Sequence, residues 1–186
     1  VKLTPANSSG CRNFQGVCKY LKSIFVPHEY KGQKLFLRFE GAMGKSALYI
    51  NGNEVSRHFC GYTPFITDIT DNVNYGEENE IAITLDNSDD PLIPPGKPQD
   101  GLDFSYDGGL YRSVTLTVCE PLYITDPILA NEVARGGIFV WYTDVSESSA
   151  AVHIRAHIKN EYPETKSYSA AITLISPDGQ KAAESK

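Results

Sequence analysis

KLFLRFEGAMGKSALYINGNEVSRH, residues 34–58, is the stretch that decides the fold. From Lys34 to Glu40 the apolar residues Leu35, Leu37 and Phe39 stand at every second position and share one face, which is the side-chain period of a half-buried strand. Asn51-Gly52 separates two further extended runs. Both residues tolerate the positive φ angles of a type I′ turn, so they predict a two-residue hairpin. The stretch therefore predicts consecutive antiparallel strands.

The same alternation recurs further along the chain. It places Ile81, Ile83 and Leu85 on one face, and it forms a second stripe of Leu110, Val114, Leu116 and Val118. Arg112 stands within the second stripe, so we expect it to face inward, where a buried guanidinium needs hydrogen-bond partners. No long stretch has helical periodicity, and 15 glycines and 11 prolines favour many turns. The pattern predicts an all-β sandwich.

Charge and hydropathy exclude two classes of partner. The net charge of −6 argues against nucleic acid, because binding phosphates requires a basic surface. No apolar run approaches the roughly 20 residues of a membrane span. The chain begins at Val1 without an initiator Met, so we expect it to be a piece of a longer protein whose targeting signal could lie elsewhere.

Cysteine and histidine spacing gives no sign of a metal site. The cysteines are Cys11, Cys18, Cys60 and Cys119. None belongs to a Cys-x-x-Cys pair, which argues against zinc; three disulfide connectivities are open, and free, partly buried thiols are the expectation. His153 and His157 would lie about 13 Å apart on a strand, too far for one metal ion, and we expect them on an exposed face. No metal and no cofactor is expected.

A long irregular segment interrupts the strands between Asp86 and Gly109. It contains four prolines and five further aspartates, and a loop of this length in a compact domain is usually functional or disordered. Catalysis by a pair of carboxyl groups needs one of them held protonated, and nothing in the pattern predicts such a buried acid. We therefore expect no catalytic residue in this chain.

The composition changes near Glu120-Pro121. We expect one domain over residues 1–120 and a second over residues 121–186. The second contains three or four strand-like segments, too few for the seven strands of a complete immunoglobulin-like sandwich. It is expected to be partial, and the first strands of the leading domain are expected to precede Val1.

Five motifs occur in order along the first domain: FEGA (39–42), LYINGNEV (48–55), GYTPF with DIT (61–70), GEEN (76–79) and GGLYRSV (108–114). Together they resemble the sugar-binding domain of glycoside hydrolase family 2, and residues 16–27 are a weaker match to the stretch that precedes them in the family. The resemblance implies a jelly-roll β-sandwich of the galactose-binding type, followed by a partial immunoglobulin-like β-sandwich.

The resemblance also implies a function. The chain would be a non-catalytic fragment of a β-galactosidase-like enzyme, bracing the absent catalytic barrel and contributing a loop to its substrate pocket. Asp103, a few residues before the GGLYR turn, would bind substrate hydroxyls, and Asn13 in the N-terminal segment would provide a second contact. The partners implied are a β-galactoside and the barrel itself, and a homo-oligomer remains open.

Several further functions remain open. The same sandwich serves β-glucuronidases and β-mannosidases, whose specificity residues lie mostly on the barrel. The chain could also be a stand-alone, lectin-like carbohydrate-binding module or a purely structural interaction domain. Family habit implies a periplasmic or secreted parent enzyme.

Overall fold

A computed structural model describes residues 14–98, 101–104, 108–133 and 135–185. It confirms the all-β prediction, since strands account for nearly all regular structure. The strands of the first part are β1 (Val17–Val26), β2 (Lys34–Phe39), β3 (Lys45–Ile50), β4 (Asn53–His58), β5 (Phe65–Asp68), β6 (Glu77–Asp86) and β7 (Val114–Cys119). A 3₁₀ turn, His28–Tyr30, follows β1.

The strands of this first part form two antiparallel sheets. One sheet has the order β1-β6-β3-β4, and the other has the order β5-β2-β7. The alternating residues of both sheets meet in one buried core that contains Leu35, Leu37 and Phe39 from one sheet and Leu48 and Ile83 from the other. The predicted β-sandwich is thus present, with the predicted face of β2 inside.

The predicted hairpin is confirmed in detail. Ile50 pairs with Asn53, and the two intervening residues have φ angles of 49° at Asn51 and 83° at Gly52, as a type I′ turn requires. The fully buried Asn79 braces this turn by accepting a hydrogen bond of 2.8 Å from Nδ2 of Asn51. Asn51 in turn accepts from the Glu80 amide at 3.0 Å, which fixes the hairpin against β6.

The second part of the chain contains shorter strands. They are β8 (Leu122–Ile124), β9 (Ile138–Thr143), β10 (Ala151–Ala156), β11 (Ile158–Asn160), β12 (Ile172–Ile175) and β13 (Lys181–Ser185), with one short helix, α1 (Pro127–Ala130). They pair two by two, as β8 with β11, β9 with β10 and β12 with β13. Every residue of β9 is exposed. Within the described residues, no helix is long and apolar enough to cross a membrane.

The outer face of β2 is covered by the second part of the chain. Phe36 is buried, and its ring centroid lies 5.4 Å from that of Tyr123 in β8. Arg38 on the same face pairs with Asp126, whose carboxylate also caps α1 by accepting from the amides of its first turn. The alternation predicted one buried face for β2, whereas the structure buries residues on both, because β8 packs against the second one.

Candidate functional site

The long loop leaves and re-enters the sandwich at one end. Val17, at the start of β1, and Lys45, at the start of β3, both pair with Asp86 at the end of β6. The chain returns at Gly109, whose carbonyl accepts a hydrogen bond of 3.0 Å from the Met43 amide. The segment before β1 and both ends of the loop therefore share this end of the molecule.

An ion cluster secures the beginning of the loop. Lys45 Nζ lies 3.4 Å from Asp86 and 3.2 Å from Asp90. Hydrogen bonds from Ser88 lower the pKa of Asp86, and a hydrogen bond from the Leu92 amide lowers that of Asp90. Both carboxylates are thus held ionised, and their bonds hold the first turn of the loop closed.

Asn87 connects three parts of the chain at the loop base. Its Oδ1 accepts a hydrogen bond of 2.9 Å from the Gly16 amide, and its Nδ2 donates to the Phe14 carbonyl at 2.7 Å. The same Nδ2 faces Gly108, where an added Cβ would lie only 2.8 Å away. Gln15 adds a 2.7 Å hydrogen bond to Asp89. The segment before β1 is therefore fastened to the beginning of the loop, and Gly108 near the other end of the loop lies against the same Asn87 amide.

Of the two predicted substrate-binding residues, the structure describes Asp103 but does not describe Asn13. Asp103 is exposed, as expected for a carboxylate far along a projecting loop, and Phe104 beside it is 51% exposed. Asn13 lies outside the described residues. The roles of Asp103 and Asn13 in binding substrate remain predictions.

The displaced carboxyl pKa values of the described residues share one direction. A retaining or inverting enzyme needs one carboxylic acid whose pKa is raised so that it can protonate the leaving oxygen. Every displaced carboxyl pKa in the described part of the chain is displaced downward, from Glu54 to Asp178. Carboxylates of this kind can accept hydrogen bonds from sugar hydroxyls or cations, but they do not act as general acids at neutral pH.

The prediction that Arg112 is buried is wrong. Its side chain is exposed, the guanidinium lies 5.1 Å from the ring centroid of Tyr111, and Nη1 donates to the Glu40 carbonyl at 3.4 Å. The reason is that β7 begins only at Val114, so the strand alternation does not extend back to Arg112. Tyr111 takes the packed position instead, with its hydroxyl donating to the Gly61 carbonyl at 2.6 Å.

The histidines are also less exposed than predicted. Both are half-buried: the His153 ring stacks on Trp141 at 5.0 Å and bonds Thr143, while His157 Nδ1 lies 2.9 Å from the Thr125 hydroxyl. Each imidazole therefore has a local structural partner. Among the described residues, no group of three metal-ligating side chains comes together.

Three cysteines lie in the described part of the chain, and all three are free and half-buried, as predicted; they are Cys18, Cys60 and Cys119. Cys11 lies outside it. Because the three thiols carry no disulfide, the packing of the described strands rests on noncovalent contacts.

Comparison with known proteins gives the family. The family model described as "Glycosyl hydrolases family 2, sugar binding domain" matches residues 3–120. A β-glucuronidase of Formosa agariphila is 31% identical over 178 residues, covering 92% of this chain and 18% of the relative. A β-galactosidase of Thermoanaerobacter pseudethanolicus is 38% identical over 115 residues, covering 61% of this chain and 15% of the relative.

The fold comparison agrees. A crystal structure of a putative β-galactosidase from Bacteroides fragilis superposes with a TM-score of 0.76 and 31% identity, covering 92% of this chain and 24% of that one. The chain thus spans about a fifth of the length of the proteins it matches. The sandwich, the ordered motifs and these matches together place the chain in glycosyl hydrolase family 2, as its sugar-binding domain with the β-strands that follow it.

Proposed function

We propose that this chain braces the catalytic domain of a β-galactosidase-like enzyme and supplies one loop to its substrate pocket. In this proposal residues 1–120 are the jelly-roll domain, preceded by further strands of its own, and residues 121–186 begin an immunoglobulin-like domain. The observation that carries the proposal is the exposed Asp103 on a loop whose base is fastened by ion pairs and hydrogen bonds. A rigid base and an exposed carboxylate suit a residue that meets a ligand bound mainly by another domain.

The proposed role of Asp103 is that of a hydrogen-bond acceptor. An ionised carboxylate can accept two hydroxyl groups of a sugar ring, and its hydrogen bonds strengthen when water is excluded. The barrel of the complete enzyme would exclude that water and would contribute the acid and the nucleophile.

A β-glucuronidase is the second candidate, and it is supported about as well as a β-galactosidase. The matched relatives bear both names, and the contacts of Asp103 with ring hydroxyls would suit either sugar. A lectin-like module is the third candidate. It would have to bind a sugar within the chain itself.

The complete enzyme that contains this chain provides the test. Its kcat/KM should be measured with the p-nitrophenyl β-D-galactoside, β-D-glucuronide and β-D-mannoside. The proposal expects the galactoside to be preferred and Asp103→Ala to lower kcat/KM tenfold or more, since a charged hydrogen bond contributes about 1.5–3 kcal/mol. Preference for the glucuronide would favour the second candidate, and unchanged kinetics of the variant would remove Asp103 from the pocket.

Calorimetric titration of the isolated chain with galactose separates the module from the fragment. We expect no heat of binding at millimolar sugar. Saturable binding with a stoichiometry near one would support the lectin-like module instead.

A further inference from the structure

The ends of the Asp103 loop meet at one side chain. Asn87 follows the last residue of β6, and Gly108 precedes the return of the chain toward β7. An added Cβ on Gly108 would lie 2.8 Å from Asn87 Nδ2, so the two ends are in contact at the level of this amide.

The side-chain amide of Asn87 also makes two hydrogen bonds to the segment before β1. Its oxygen accepts from Gly16, and its nitrogen donates to Phe14. The Asn87 backbone amide adds a third bond, to the Gly16 carbonyl at 3.4 Å. An amide side chain supplies both the acceptor and the donor that these two bonds require.

We infer that Asn87 is a positioning residue. It fixes how far and in which direction the Asp103 loop projects relative to the segment before β1. The inference rests on the proposed function, because it assigns Asn87 the task of holding Asp103 where a sugar bound by the barrel can reach it. Asn87 itself does not touch the sugar. Loss of the amide releases the beginning of the loop from residues 14–16 and removes the group against which Gly108 lies, while the strands on either side keep their pairing.

Hydrogen exchange of this chain tests whether Asn87 holds the loop in place. Asn87→Ala should accelerate amide exchange in residues 101–104 at least fivefold, with exchange in β2 and β3 unchanged. Asn53→Ala, a change at an exposed residue of the β3–β4 hairpin, is the matched control and should leave the loop unaffected. Asn87→Asp keeps the acceptor for Gly16 but turns a second oxygen toward the Phe14 carbonyl, so it should behave like Asn87→Ala.

Gly108→Ala identifies the contact through which Asn87 acts. Its methyl group should displace the Asn87 amide and accelerate exchange in the loop, and this effect should vanish in the Asn87→Ala background, where nothing remains to be displaced. Equal effects of Gly108→Ala in both backgrounds, or unchanged exchange in Asn87→Ala, would overturn the inference. If Asn87→Ala fails to fold, unchanged loop exchange in Gly108→Ala alone would overturn the inference.

Kinetics of the complete enzyme test whether Asn87 affects substrate binding through Asp103. Asn87→Ala should raise KM at least fivefold, and adding it to Asp103→Ala should cause no further loss, because the residue it positions is already gone. Additive losses would mean that Asn87 acts independently of Asp103. If Asp103→Ala alone leaves the kinetics intact, the proposed function fails, while the exchange experiments still decide whether Asn87 holds the loop.

Discussion

Lys34 and Glu161 form an ion pair with 2.7 Å between Nζ and Oε2, which joins β2 to the residue that follows β11. Lys34 also lies 2.6 Å from Asp68 on β5. Burial alone would raise the pKa of Glu161, but hydrogen bonds from its neighbours outweigh burial and lower that pKa to about 2. The donors are Lys159, Lys34 and Tyr123.

This cluster makes the chain sensitive to acid. A carboxyl group with a lowered pKa in the folded state stabilises the fold above its unfolded pKa of about 4.3, and this contribution is lost as the pH falls toward 2. Glu161→Gln should lower the free energy of unfolding at pH 7 by about 1–2 kcal/mol and should change it little near pH 2. Urea unfolding from pH 2 to pH 7 measures this, with the exposed Glu147→Gln as control. Parallel pH profiles of Glu161→Gln and the unmodified chain would contradict it.

Asn79 should be among the least replaceable polar residues of the chain. It is fully buried, accepts from Asn51 and from the Asn74 amide, and donates to the Asn74 and Glu77 carbonyls. Asn79→Ala leaves these groups unpaired and should destabilise the fold by about 3 kcal/mol. Asn79→Asp keeps the acceptor but loses both donated bonds, so it should be destabilising as well. Thermal unfolding measures both, and a loss below about 1 kcal/mol would contradict the assignment.

Alanine substitutions at Gly44 and Gly52 distinguish the cost of backbone strain from the cost of steric overlap. Both have positive φ, 87° and 83°, but a Cβ on Gly52 meets nothing within 4 Å, whereas one on Gly44 overlaps the Asp86 carbonyl. Gly52→Ala should cost about 1 kcal/mol from backbone strain alone. Gly44→Ala should cost at least twice as much, since it also pushes β3 away from the base of the loop. Equal costs in denaturant unfolding would show that the Asp86 carbonyl yields without penalty.

Cys60 should be the most reactive of the three described thiols. Burial raises the pKa of Cys18 and of Cys119. At Cys60 burial acts in the same direction, but hydrogen bonds from Thr63 and from the Tyr62 amide outweigh it and lower the pKa. More thiolate at pH 7.5 should make alkylation by iodoacetamide several-fold faster at Cys60. Peptide mass mapping over time checks the order, and earlier labelling of either other thiol would contradict it.

Asp103 should matter little to the folding of this chain. Its side chain is exposed, and exposed substitutions usually change stability by less than about 0.5 kcal/mol. Asp103→Ala and the isosteric Asp103→Asn should both leave the melting temperature within about 2 °C of the unmodified chain. A large drop in either variant would show that Asp103 is a structural residue of the loop.

Much of the first sandwich could be predicted from the sequence because its strands and turns are determined by residues that are close together in the chain. The turn at Asn51-Gly52 needs only the backbone preferences of two adjacent residues, and the core face of β2 follows from alternation within six residues. The burial of Phe36 could not be found in this way. It depends on Tyr123, which no local pattern connects with β2.

The site was predicted less completely, for the same reason. The exposure of Asp103 followed from its place in a long loop, but the role of Asn87 depends on contacts with Phe14 and Gly16, far away in the sequence. A weak signal was present, since an asparagine directly after a strand and before a proline-rich loop favours local capping. The prediction for Arg112 was wrong because the alternation of β7 was extended to a residue that precedes the start of the strand at Val114.

The exposed strand β9 contains an intrinsic fluorescent probe of unfolding. Its only tryptophan, Trp141, lies there and is stacked on His153, so the indole fluorescence of the whole chain arises in the second part. Circular dichroism is dominated by the longer strands of the first part. Comparing the two signals during unfolding would therefore show whether the two parts melt together or one after the other.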